Sequence, residues 1–234
     1  MRKGKFSSAL VAIIGAAIVY GLFWFQYKSS NSSYNVYLVV NMMALLWVPM
    51  LSIFLIHGED PTSFGFAGCT TRGIWLWVGA MFAGMLLLML MAAPWDEFQK
   101  YYPIFRRWGE FRDLPAFATT PKGFLSSNPF LVAPWTMLYA EASYGMYLFC
   151  WEFFFRGYLL FGLQKSVGSI AAVIVQAAAF GLLHYGKPEM IPSFAGGIIL
   201  GIVALRAKSF FPCFVLHWAV SISLDFLVVA ARHI

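Results

Sequence analysis

Residues 147–163 read YLFCWEFFFRGYLLFGL, and this stretch decides the class of fold. Only Glu152 and Arg156 carry a charge in it, while the other residues are aromatic, aliphatic, small or weakly polar. A charged side chain at the centre of a membrane helix costs about 3 kcal/mol. Residues four positions apart lie on one face of an α-helix, so these two opposite charges can pair and lower that cost. The stretch therefore predicts a transmembrane helix that carries its own ion pair.

The composition of the whole chain extends this prediction. Of its 234 residues, 61% are hydrophobic and only 11% are charged, and the mean hydropathy is +0.73. A soluble domain of this size cannot bury so large an apolar fraction, so we predict an all-α polytopic transmembrane helical bundle. The 3 cysteines form no CxxC pair, which argues against a disulfide-stapled module. The net charge of +6 comes from Lys and Arg at the ends of apolar runs, so we expect no nucleic-acid partner.

Apolar runs of about 20 residues mark the membrane spans. The sequence predicts about seven spans, within a range of six to eight, at residues 8–25, 37–56, 74–93, 131–161, 170–184, 191–205 and 210–230. We treat 1–234 as a single membrane domain, with three N-terminal spans in 1–93, a polar extramembrane loop in 94–130 and a core in 131–234. The distribution of Lys and Arg over the short loops predicts a cytoplasmic N-terminus.

The second half of the chain places further ionisable side chains inside apolar runs, namely Glu141, His184, His217 and Asp225. In a bilayer, an ionisable side chain is usually paired with another polar group or has a functional role. A carboxylate and two imidazoles are the groups needed to activate water and to stabilise an oxyanion. Other interpretations stay open: a structural Glu152–Arg156 pair, core histidines that are satisfied locally, a helix cap at Glu141, or a polar transport cavity.

The side chains of Glu152, His184 and His217 also match a zinc site with two histidines and one carboxylate. The HExxH spacing of many zinc hydrolases is absent from the sequence. We therefore expect no metal ion and no cofactor, with zinc at these three residues as the alternative.

Three motifs in this half resemble the CPBP family of intramembrane endopeptidases (CAAX protease and bacteriocin-processing, also called Abi). They read WEFFFR at residues 151–156, FGLLH at 180–184 and HWAVS at 217–221. The corresponding family motifs are EExxxR, FxxxH and HxxxN. Two positions differ, since Trp151 replaces the first glutamate and Ser221 replaces the asparagine.

The resemblance implies an intramembrane endopeptidase with a CAAX-protease-like core in the bacterial inner membrane. It assigns the activation of water to Glu152 and His184, and the stabilisation of the oxyanion to His217 and Ser221. Arg156 is the ion partner of Glu152. A common site requires the two histidines to lie within about 12 Å of each other.

The expected substrate is a lipid-modified or membrane-anchored protein. We also expect membrane lipids as partners, because they surround the bundle. Trp151 stands where the family has its water-activating glutamate, so the alternative function is noncatalytic. In that case the protein is a CPBP-like membrane scaffold or a small subunit of a larger membrane complex, and its partners are membrane-protein subunits.

Overall fold

A computed structural model describes residues 2–28, 33–69, 71–187 and 190–232 of the chain. Six helices are long and apolar enough to cross a membrane. They are α1 (Arg2–Lys28), α2 (Tyr34–His57), α3 (Arg72–Ala92), α4 (Pro134–Leu182), α5 (Met190–Ala207) and α6 (Phe211–Arg232). Within the described ranges, β pairing is confined to a bridge between Thr119 and Leu125. The predicted all-α polytopic transmembrane bundle is therefore confirmed.

Helix α4 is a hairpin of two antiparallel arms. Gly168 interrupts it with φ +80° and ψ 167°, a backbone conformation that glycine adopts without a steric penalty. Trp151 and His184 have ring centres 5.5 Å apart, whereas a straight helix would separate their backbones by about 50 Å. The predicted spans 131–161 and 170–184 correspond to these two arms. The six long helices therefore provide seven apolar helical segments.

Two of the membrane helices contain π-helical segments. Helix α2 has them at Met43–Trp47 and Ser52–His57, on either side of Val48–Leu51. Helix α4 has one at Phe153–Leu159, between Pro134–Glu152 and Leu160–Leu182. Such turns are rare and occur frequently at functional sites. The π-helical segment of α4 begins directly after Glu152, within the first motif.

Two sets of contacts define the ends of the bundle. At one end, which we call the Gly168 end, Lys165 pairs with Glu59 in the connection between α2 and α3. Burial opposes ionisation of Glu59, but hydrogen bonds from Lys165 and Ser63 outweigh it and lower the pKa of the Glu59 carboxyl. At the opposite end, Gln99 Nε2 donates to the carbonyl oxygen of Val228, near the end of α6, at 2.7 Å.

The segment 94–130 folds as a cap on this opposite end. It contains the short helices Asp96–Tyr101, Ile104–Arg107, Gly109–Arg112 and Pro115–Phe117, and a further short helix, Pro129–Val132, begins at its end. Its aromatic side chains Phe105, Trp108, Phe111 and Phe117 are buried and belong to the hydrophobic core. The carboxylate of Glu110 accepts a hydrogen bond of 2.8 Å from the backbone N–H of Tyr34, at the start of α2. This segment is therefore packed against the membrane helices.

Candidate active site

Glu152 is the centre of a buried polar cluster. Its Oε1 accepts a hydrogen bond from Arg156 at 3.1 Å and lies 2.7 Å from Nδ1 of His217. The side chains of Glu152 and Arg156 have no exposed surface, while that of His217 is 20% exposed. The predicted ion pair within the first motif is thus present, and it includes the histidine of the third motif.

Trp151 and Glu152 point to different histidines. Both residues belong to the α-helical part of α4, where successive side chains are turned by about 100°. The Trp151 ring packs edge to face on the His184 ring, at a centroid distance of 5.5 Å. Glu152 bonds His217 instead. The substitution of the first glutamate by Trp151 therefore leaves an indole beside His184, while the remaining carboxylate, that of Glu152, faces His217.

Phe180 joins the three motifs. Its ring centre lies 4.7 Å from that of His184 and 5.8 Å from that of His217, which places the two imidazoles within about 11 Å of each other. The guanidinium carbon of Arg156 lies 4.1 Å from the centre of the same ring, in cation–π geometry. The predicted limit of about 12 Å between the two histidines is met.

The remaining bonds of the histidines assign their protons. Nδ1 of His184 lies 2.9 Å from the carbonyl oxygen of Phe180, which can only accept, so Nδ1 carries the proton and Nε2 is an acceptor. Nδ1 of His217 likewise faces a carboxylate oxygen, which leaves its Nε2 as the acceptor. Ser221 is half-buried and lies one helical turn after His217 on α6. The five predicted site residues therefore lie on α4, on the turn that follows it and on α6, and Phe180 joins the two imidazoles.

Several buried polar atoms around Glu152 have no hydrogen-bond partner among the residues that the structure describes. They are Glu152 Oε2, Arg156 Nε, one terminal Arg156 nitrogen and Trp151 Nε1. Buried polar groups in proteins are almost always satisfied by protein, water or ligand. The cluster therefore has hydrogen-bonding capacity for a water molecule or a polar group of a substrate.

Within the described ranges, no three His, Cys, Asp or Glu side chains come together as metal ligands. The alternative zinc set of Glu152, His184 and His217 is divided by the Phe180 ring, which packs against both imidazoles. The carboxylate oxygen Oε1 already accepts from Arg156 and His217.

Two contacts between α4 and α6 escaped the sequence analysis. The carboxyl groups of Glu141 and Asp225 interact across α4 and α6, and both residues are buried, so Glu141 is more than a helix cap. Trp218 donates from Nε1 to the carbonyl oxygen of Glu141 at 3.1 Å and packs against Gly145. Glu141 and Asp225 are 84 positions apart, so periodicity gave no signal for either pairing.

The fold and the cluster define a multi-pass membrane protein with a buried group of polar side chains in its helical core. Residues 133–223 match the family described as type II CAAX prenyl endopeptidase Rce1-like. These residues form a CAAX-protease-like domain, and the resemblance to the CPBP family is confirmed for them. No curated protein and no solved structure matches the chain significantly.

Proposed function

We propose that the protein is an intramembrane endopeptidase that hydrolyses a peptide bond with water activated by a Glu152–His217 pair. The observation that carries this proposal is the 2.7 Å distance between Glu152 Oε1 and His217 Nδ1. A carboxylate that accepts from one imidazole nitrogen orients the ring and makes the other nitrogen a better base, as in catalytic triads. This division of roles differs from the one that the family resemblance implies, in which Glu152 works with His184.

In the proposed reaction, Nε2 of His217 takes a proton from water, and the resulting hydroxide attacks the carbonyl carbon of the peptide bond. The hydroxyl group of Ser221 and the unbonded N–H groups of Arg156 are the donors available to the oxyanion. The carbon–nitrogen bond then breaks, and the amine leaves with the proton that His217 took from the water, while the hydroxide oxygen stays in the new carboxyl group. Every step uses side chains of this chain, so we propose neither a metal ion nor a cofactor.

The site lies within a membrane bundle, so its substrate must reach it from the bilayer. We propose a lipid-modified or membrane-anchored protein as the substrate. We also propose that the protein resides in a bacterial inner membrane with its N-terminus in the cytoplasm. The division of the chain into 1–93, 94–130 and 131–234 stays a prediction.

The test is affinity purification from native membranes of the wild type and the variants Glu152→Gln, His217→Ala and His184→Ala, followed by mass spectrometry of the C-termini of co-purified proteins. We expect the variants to retain an intact membrane protein that the wild type releases in a shorter form. Loss of general base catalysis should lower the rate of cleavage by about 10²–10⁴-fold. Glu97→Gln, on an exposed residue of the segment 94–130, is the matched control and should cleave like the wild type.

A specific observation favours the noncatalytic alternative, in which the protein is a membrane scaffold or a subunit of a complex. The ring of Trp151 covers His184, and no carboxylate of the described residues bonds that imidazole. This alternative predicts that the wild type and all three site variants hold the same intact partner. That outcome would overturn the endopeptidase proposal.

A further inference from the structure

A cavity of about 160 Å³ opens between the first turns of α3 and the last turns of α5. Its lining includes the apolar side chains Ile74, Ile202 and Val203, the indole of Trp77 and the cation Arg206. Its lining is almost entirely apolar, so the cavity suits a hydrocarbon chain, and Arg206 offers a positive charge at its edge. This cavity is separate from the cluster around Glu152.

The cavity lies at the ends of two membrane helices, the start of α3 and the end of α5, where we expect the lipid headgroups. Thr71, the residue before α3, contributes to its lining, and Arg206 is the second-last residue of α5. The connection from α5 to α6 joins the Gly168 end, because the backbone N–H of Phe210 donates to the carbonyl oxygen of Gly65 at 3.3 Å. An indole at this depth is typical of the interfacial belt of membrane proteins.

The charges around the cavity are positive. The guanidinium carbon of Arg206 lies 4.7 Å from the centre of the Trp77 ring, in cation–π geometry that leaves its N–H groups able to donate to an anion. Among the described residues, no carboxylate lies within ion-pair distance of Arg206 or of Arg72, the first residue of α3. The N-terminus of α3, a helix of 21 residues, adds the positive end of its dipole.

We propose that an acyl chain of an anionic phospholipid occupies this cavity, against Ile74 and Ile202, while its phosphate headgroup pairs with the exposed Arg206 at the edge. Charge complementarity selects this occupant, because a fixed cation stands beside an apolar groove at headgroup level. A zwitterionic headgroup carries a choline cation next to its phosphate, and that cation opposes Arg206. A phospholipid headgroup and free phosphate would both present phosphate oxygens to Arg206. Only the phospholipid has acyl chains that the apolar wall can contact.

The test is native mass spectrometry of the full-length protein in detergent, titrated with phosphatidylglycerol or with phosphatidylcholine of the same acyl chains. We expect one phosphatidylglycerol to bind the wild type at least about fivefold more tightly than phosphatidylcholine. Arg206→Gln should weaken that binding about fivefold, since one cation near a membrane surface is worth about 1 kcal/mol. Trp77→Leu, which removes the stacking surface of the guanidinium, should weaken it about two- to fivefold.

Lys208→Gln is the matched control. It removes one positive charge two positions after Arg206, but Lys208 is not part of the cavity lining, so binding should stay within about twofold of the wild type. Equal weakening by Lys208→Gln and Arg206→Gln would show a diffuse electrostatic effect and would overturn the proposal. Equal binding of the two lipids would also overturn it. Displacement of the lipid by inorganic phosphate as readily as by excess phosphatidylglycerol would identify a site for a free anion instead.

Discussion

At the scale of the residue, the Glu152 carboxylate decides the electrostatics of the site. It neutralises a guanidinium that has no exposed surface, and it orients an imidazole through the same oxygen atom. Burying an ion pair costs desolvation energy, and removing one partner leaves an uncompensated charge. The stability of the protein therefore depends on Glu152 and Arg156 together.

A double-mutant cycle tests this dependence. We expect Glu152→Leu to lower the free energy of unfolding by about 3–5 kcal/mol, because Arg156 stays buried without a counter-charge. The double variant Glu152→Leu/Arg156→Leu should lose less stability than Glu152→Leu alone. The measurement is reversible unfolding in lipid–detergent micelles, with Glu97→Leu as the exposed control, for which we expect a change of about 0.5 kcal/mol or less. The single variant Arg156→Leu completes the cycle, and additive effects of Glu152→Leu and Arg156→Leu would contradict the pairing.

At the scale of the element, close approach between α4 and α6 sets the position of His217. A Cβ atom built on Gly145 would overlap the indole ring of Trp218. Trp218 follows His217 directly and is hydrogen-bonded to the carbonyl oxygen of Glu141. The absence of a side chain at Gly145 therefore allows the indole to dock and holds α6 against the first arm of α4.

Gly145→Ala should force the Trp218 ring away and shift His217 relative to Glu152. We expect a loss of about 1–3 kcal/mol in the free energy of unfolding, the usual cost of overpacking. Gly84→Ala, within α3, is the matched control, because no atom lies within 4 Å of a Cβ atom built there. It should be neutral or stabilising by up to about 1 kcal/mol, since alanine is the better helix former. Equal effects of both substitutions would mean that the contact has no structural role.

At the scale of the whole molecule, the arrangement of helices places the segment 94–130 and the Gly168 end at opposite ends of the helical bundle. The segment joins α3 to α4, and it packs on the start of α2 and near the end of α6. The connection between α2 and α3 contacts the turn of the α4 hairpin instead. Alternating directions of the helices account for this separation.

Labelling with a membrane-impermeant maleimide tests the sidedness in intact cells. In a Cys69→Ser background, we expect the exposed position of Lys122→Cys to react at once, and that of Lys208→Cys to react only after permeabilisation. The reverse pattern would place the N-terminus outside and contradict the proposed orientation. Reaction of both positions from one side would contradict the packing of the helices.

The sequence by itself determined the membrane class, the approximate spans and the residues of the polar cluster. These follow from local properties: an apolar run long enough to span a bilayer must be helical there, and Glu152 and Arg156 are close neighbours on any helix. Even the two arms of α4 were predictable, because the apolar pattern breaks near Gly168.

Only the tertiary structure decided which side chains meet. Glu152 bonds His217 although 65 positions separate them, and Trp151 rather than a carboxylate covers His184. The partnership of Glu141 with Asp225 and the cavity beside Arg206 were likewise invisible in the sequence. The physical reason is that helical periodicity gives the face of each residue but not the rotation of one helix against another. Packing sets that rotation, through contacts such as that of Gly145 with Trp218.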